Sequence, residues 1–190
     1  MRVPITTSDP MLRTMERSKV AEEIAKVALL RGTFTLRSGK TSNYYLDKYL
    51  FSTRPEILQE LGKMFAARVP AGTTRLAGAE LGGIPLVSAA SMASGLPCLF
   101  VRNAKKDYGT AKQLEGKLEA GDRVVFVEDV ATTGGQALEA VQVLRAAGAN
   151  VTHVICTIDR MEGARQNIEG AGIAFDALFT VRDLGIQPSA

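Results

Sequence analysis

Tryptophan is absent from this 190-residue chain, histidine occurs once, cysteine twice, and aromatic residues make up only 6% of it. Each shortage closes off a class of function. The single histidine, His153, cannot build a histidine-rich metal centre, and its place inside the apolar run Val151 to Ile158 marks it as a satisfied structural side chain. Cys98 and Cys156 also lie in apolar, strand-like segments, the setting of reduced, buried thiols and not of a disulfide framework or metal site. Neither has an activating base in its own motif, which argues against a catalytic cysteine. Long apolar runs are missing too. None approaches the ~20 residues of a membrane helix, and the amino-terminal MRVPITTSDPML lacks the apolar core of a secretory signal. A cytoplasmic protein without membrane contact is expected. Charge of one sign is equally scarce: the net charge is +3, and basic residues are interleaved with acids except around Arg102 to Lys117. That balance suits a small anionic ligand and not nucleic acid.

What is present, 46% hydrophobic and 23% charged residues, is the make-up of a globular protein of one domain with a full core. Residues 1–15 have no periodicity and read as a loose arm. Val20, Ile24, Val27 and Leu30, followed by Gly32, predict an amphipathic helix over Glu16 to Leu30. Phe34 to Phe51 reads as two short strands around a Ser-Gly-Lys turn, and Pro55 opens a second helix carrying Ile57, Leu58, Leu61, Met64 and Phe65. From there the pattern alternates. Strands are expected at Arg75–Ala79, Cys98–Arg102, Val124–Val127, Val151–Ile158 and Phe175–Val181, with helices at Ile84–Ala93, Gln136–Ala147 and Gly163–Gly170. Strand and helix in turn predict an α/β fold with a parallel twisted sheet flanked by helices. Gly32 to Thr41 ends in Gly-Lys-Thr, but six residues separate Gly32 from Gly39, more than a nucleotide-triphosphatase loop has, and a helix precedes it.

The most informative segment is Val124 to Gly135, VVFVEDVATTGG. An apolar run of this kind is a buried parallel strand, and the carboxyl ends of such strands are where open α/β sheets bind ligands. There stand Glu128 and Asp129, able to accept hydrogen bonds from a vicinal diol or to hold the water shell of a magnesium ion. Thr132, Thr133, Gly134 and Gly135 can then turn their N–H groups toward one point. The helix from Gln136 adds the positive end of its dipole, so the loop is built to cradle a phosphate. Diol and phosphate together suggest ribose 5-phosphate.

An acidic pair followed by Thr-Thr-Gly-Gly resembles the phosphoribosyl diphosphate (PRPP) signature of type I phosphoribosyltransferases, and residues 16–185 resemble the orotate phosphoribosyltransferase family. The resemblance implies the type I phosphoribosyltransferase fold, with residues 16–54 as a helix and small base-binding hood and 55–185 as the α/β core. It implies PRPP contacts from Glu128, Asp129, Val130, Ala131, Thr132, Thr133, Gly134, Gly135 and Gln136. FTLRSGKTSNYYLD resembles the family's hood motif, which assigns Arg37, Tyr44 and Tyr45 to the base; an arginine and aromatic faces suit a flat pyrimidine that carries a carboxylate. Thr132 and Arg160, the latter in Ile158-Asp159-Arg160, are the remaining implied orotate contacts. GAELGGIP, Gly78 to Pro85, resembles the family's diphosphate loop, with Gly82 where many members carry lysine, so that only the backbone role carries over.

VRNAKKDYGTAKQLEG, Val101 to Gly116, resembles the family's catalytic loop. Arg102, Lys106, Asp107 and Gly109 match, whereas Asn103 replaces a lysine and Tyr108 a histidine. Arg102, Lys105 and Lys106 are implied PRPP ligands, with Lys112 adding charge, and Lys106, Arg102 and Asp129 are the implied catalytic residues. Magnesium is implied as the cofactor, held mainly through PRPP and water. A homodimer is implied, with the catalytic loop crossing between subunits. The chain ends soon after its last expected strand, so the decarboxylase that some relatives carry is expected on a separate chain. Two other readings share the PRPP loop: a phosphoribosyltransferase for another base, and a non-catalytic PRPP-sensing regulator.

Overall fold

The structure is a computed structural model that describes residues 14–35, 41–103 and 113–187. Helix α1 (Arg17–Ala28) leads into an antiparallel pair of strands, β1 (Leu29–Thr35) and β2 (Thr41–Leu46), which form a separate two-stranded sheet. Short helix α2 (Lys48–Ser52) and α3 (Pro55–Ala66) connect this hood to the core. The core runs β3 (Arg75–Ala79), α4 (Gly83–Ser94), β4 (Cys98–Val101), β5 (Leu114–Glu115), β6 (Arg123–Ala131), α5 (Gly135–Ala146), β7 (Asn150–Asp159), α6 (Ala164–Gly170) and β8 (Ala174–Thr180), and a 3-10 turn, Val181–Leu184, follows.

The six core strands lie in the order β5-β4-β3-β6-β7-β8. All pairs are parallel except β4 with β5. From β3 the chain steps outward to β4, then returns to place β6 on the other side of β3, and such a switch point opens a crevice beyond the strand ends. Side-chain alternation along β6 builds the two faces. Val125 and Val127 join the core with Ile24, Leu61, Leu86 and Phe179, while Val124 and Phe126 join the one with Val141, Leu144, Val154 and Ile168.

Four expected boundaries are corrected. The first helix ends at Ala28, because Leu29 and Leu30 pair with Leu46 and Tyr45 of β2. The second hood strand stops at Leu46: the Asp47 side chain accepts a hydrogen bond from the Tyr49 N–H at 3.0 Å and caps a short helix there. Strand β6 does not end at Val127 but runs to Ala131, since Glu128, Val130 and Ala131 keep their ladder with Cys156, Ile158 and Asp159 of β7. Between the expected strands at 98 and 124, Leu114 and Glu115 return to the sheet edge beside Val101 and Phe100. Cys98 is only half-buried, Cys156 is buried, and both are free thiols. His153 lies in the amino-terminal half of β7, and its Nδ1 finds no hydrogen-bond partner among the described residues, unlike the satisfied histidine expected there.

Candidate active site

The site forms where β3 runs out. Its last partner on β6 is Val127, so beyond that point the β6 edge is open on the β3 side and the turn after β3 faces Asp129 instead of a strand. Glu128 and Asp129 are 9% and 3% exposed. Burial pushes the Glu128 carboxyl up to about 8, and the neighbouring Asp129 charge pushes in the same direction. The backbone partly satisfies the pair: Glu128 Oε1 accepts from the Asp129 N–H at 3.0 Å and Asp129 Oδ1 from the Val130 N–H at 2.6 Å. Asp129 Oδ2 lies 2.8 Å from Lys48 Nζ.

Beyond β6, Gly134 takes the left-handed conformation, φ 79°, and starts α5. A Cβ at this position would come within 2.9 Å of the Ile168 side chain, so both φ and packing require glycine. Asn167 Nδ2 donates to the Thr133 carbonyl at 2.9 Å and ties the loop to α6. Glu128, Val130, Thr132, Thr133, Gly135 and Gln136 line one hollow over the start of α5, where backbone amides and the helix dipole favour an anion. Ala131 contributes backbone only, its side chain being buried in the core around Phe126. A second cleft adjoins on the other side of the acidic pair, lined by Lys48, Glu80, Arg102, Gln113 and Glu139. Arg102 lies 3.7 Å from Glu115, and its N–H donates to the Gln113 carbonyl at 2.9 Å, so the chain on either side of residues 104–112 is fastened to the same strand edge.

Arg160 follows β7 and meets the hood. Its Nη2 donates to the Tyr44 hydroxyl at 3.0 Å, its guanidinium lies 5.2 Å from the Tyr44 ring centre, and its Nε is 2.9 Å from Glu162 Oε1. Strand alternation separates the expected aromatic pair. Tyr44 is buried beside Arg160, while Tyr45 points away, 45% exposed, with its ring 5.7 Å from Phe34.

A carboxylate pair, an anion cradle and an arginine under a hood thus share one sheet edge. No family model matches the chain. It is 47% identical over 158 residues to an orotate phosphoribosyltransferase of Methanocella arvoryzae, covering 83% of this chain and 90% of that one. With the orotate phosphoribosyltransferase of Methanocaldococcus jannaschii it shares 42% identity over 170 residues, 89% of this chain and 97% of that protein. The chain belongs to the orotate phosphoribosyltransferase family. Among solved structures, the Mycobacterium tuberculosis orotate phosphoribosyltransferase in complex with PRPP superposes with a TM-score of 0.75 at 30% identity, covering 90% of this chain and 99% of that one. A phosphoribosyltransferase of Corynebacterium diphtheriae gives a TM-score of 0.79 at 27% identity, covering 90% and 98%. The type I phosphoribosyltransferase fold expected from the sequence is therefore the fold of this chain.

Of the residues that the orotate phosphoribosyltransferase resemblance singled out, Arg37, Lys105, Lys106, Asp107, Tyr108, Gly109 and Lys112 lie outside the described residues. Asn103 is described, and its N–H donates to Glu80 Oε1 at 2.7 Å. Sequence reasoning missed Lys48, Glu80 and Glu162. Glu162 stands two positions from Arg160, and Glu80 lies within the GAELGGIP segment; Lys48 carries no local signal, because only the fold brings it to the acidic pair.

Proposed function

We propose that this protein transfers the 5-phosphoribosyl group of PRPP to orotate, giving orotidine 5'-monophosphate and diphosphate. The observation that carries the reading is the acidic pair of β6 with the Gly134 cradle beyond it and the Arg160–Tyr44 pair beside the strand's end, where the Arg160 N–H donates to the Ala131 carbonyl at 2.9 Å. A ring nitrogen of orotate attacks the anomeric carbon of PRPP as the carbon–oxygen bond to diphosphate breaks. Positive charge develops on the ribose and negative charge on the leaving group. Glu128 and Asp129 meet the ribose hydroxyls, the Asp129 carboxylate favours the cation and Glu128 adds to it once ionised, and the Thr132–Gln136 loop fixes the 5-phosphate. Arg160 pairs with the orotate carboxylate, held in place by the Tyr44 hydroxyl, and Thr132 is a further orotate contact. Arg102, Lys105 and Lys106 balance the leaving diphosphate, with Arg102, Lys106 and Asp129 assigned to catalysis.

Magnesium fits this donor set. Carboxylate oxygens at the edge of a water-accessible cleft suit a hard cation, and Glu128 and Asp129 would hold the ion's water shell while PRPP supplies the remaining oxygens. When bound, the ion supplies positive charge against the leaving diphosphate. We read the hood and core as one catalytic unit working in the cytoplasm. No described helix is long and apolar enough to cross a membrane. A homodimer whose Val101–Gly116 segment serves the neighbouring subunit completes the proposal, and Leu81 and Met92, 65% and 87% exposed, offer apolar surface for such a contact.

The test is the loss of orotate absorbance when the purified protein is mixed with PRPP, orotate and magnesium, with uracil and hypoxanthine as controls. Turnover of orotate alone is expected. Turnover of another base would reassign the substrate, and PRPP binding without turnover of any base would make the protein a PRPP-sensing regulator.

A further inference from the structure

Lys48 is the cation of this site that the sequence pattern does not announce. It opens α2 at the corner where the hood joins the core, and its ammonium meets Asp129 Oδ2 at 2.8 Å. The meeting depends on glycine. A Cβ at position 82 would lie 1.7 Å from that same oxygen and 3.3 Å from Lys48 Cε, so the turn after β3 leaves the space in which ammonium and carboxylate touch.

Neutralising a buried carboxylate would be reason enough for a lysine here, but two observations go further. Asp129 is almost wholly buried, with its side chain 4% exposed, whereas the Lys48 side chain is 33% exposed. An ammonium carries three donors and Asp129 uses one; with the Tyr49 ring centre 5.7 Å from Nζ and the side chain one-third exposed, donors are left for a ligand on the open side of the pair. That side is the cleft holding Glu80, Glu128 and Glu139, where Lys48 and Arg102 are the cationic residues of the described lining. A cleft so rich in carboxylates repels a polyphosphate unless its cations are presented to it. Burial works against the charged form of Lys48, but the Asp129 carboxylate beside it outweighs this and leaves the ammonium's pKa raised, so the charge persists across the neutral range.

We propose that Lys48 is a further PRPP-binding residue: one N–H holds Asp129 in position for the ribose hydroxyls, and the other donors engage the diphosphate end of the donor. The inference rests on the reading of this cleft as a PRPP pocket. Calorimetric titration of PRPP with magnesium, without any base, into wild type, K48M and K48R tests it, followed by steady-state kinetics on all three.

K48M is expected to weaken PRPP binding at least about tenfold while the orotate KM stays within about twofold, and K48R to recover most of the loss. Should the methionine variant fail to fold, K48Q keeps the stem and carries the same comparison. PRPP affinity unchanged in K48M would overturn the proposal. So would equal weakening of PRPP and orotate together with a lowered melting temperature, which is the mark of a merely structural lysine. A wild type that binds PRPP but does not turn over orotate would remove the base assignment and leave this test intact, whereas a wild type that binds no PRPP would overturn both.

Discussion

Glu128 carries a buried carboxyl group whose pKa is raised from 4.5 to about 8 by desolvation and by Asp129, and this has a measurable cost. The folded protein binds a proton that the unfolded chain releases at lower pH, so stability linked to this group is fully present below about pH 4.5 and is lost as pH rises through about 8. The urea midpoint of the wild type is expected to fall across that window, and Glu128→Gln to flatten the slope; an identical slope in both would show that Glu128 does not titrate there. Arg160 is tuned differently. Its guanidinium is held by the Tyr44 hydroxyl and lies against Glu162, so under the proposed orotate role the base would compete with Glu162 for it. Arg160→Met should raise the orotate KM at least about tenfold while leaving PRPP binding near wild type, because the proposed role gives Arg160 a charge-assisted contact to the base alone. Steady-state kinetics with each substrate varied checks this.

At the scale of elements, the strand-to-helix passage from β6 to α5 does the most. The loop can present its N–H groups only because Gly134 reverses the chain at φ 79° directly against Ile168. Gly134→Ala is expected to cost about 1–3 kcal/mol of stability from the left-handed conformation, with a rise in the PRPP KM, read by denaturant titration and kinetics. The hood shows how alternation selects residues. The register of β2 against β1 places Tyr44 inward and Tyr45 outward, so a neighbouring pair that looks alike in the sequence divides between the buried face and the surface. Helix α2 spans only five residues, too few to show a helical period, which is why the segment reads as strand until its Asp47 cap is seen.

For the molecule as a whole, α1 and the hood must be held against the core, since the Arg160–Tyr44 contact joins the two. Arg17 supplies one tie. Its guanidinium meets both carboxylate oxygens of Asp183 at 2.9 Å and its Nε donates to the Leu178 carbonyl at 2.9 Å. Asp183 also accepts from the Thr180 N–H at 2.7 Å, closing a capping box on the final 3-10 turn. The hydrogen bond from Arg17 is the main reason that the Asp183 pKa is lowered. Its stabilising effect is therefore present above the ordinary carboxylate range and lost as pH falls through the lowered value. With Arg17 48% exposed, solvent screens much of the ion pair, and Asp183→Ala is expected to cost about 0.5–1.5 kcal/mol near neutrality, mostly from the lost hydrogen bond to the Thr180 N–H. The cost should shrink in acid; urea titrations at about pH 7 and about pH 3 compare the two.

By itself the sequence determined the alternation of strand and helix, the PRPP-type loop and the residues of the hood motif, because each is encoded within a dozen or so neighbouring positions by period, glycine placement and charge. It could not show where β6 ends, since Glu128 and Asp129 look like a solvated strand end until the ladder with β7 is seen to continue past them. Nor could it join Lys48 to Asp129, Glu80 to Asn103 or Arg160 to Tyr44. Those contacts follow from the crossover that sets β6 beside β3 and from the hood folding back over the sheet edge. Tertiary structure decided them because proximity between residues distant in the chain is a property of topology and register, not of any local pattern.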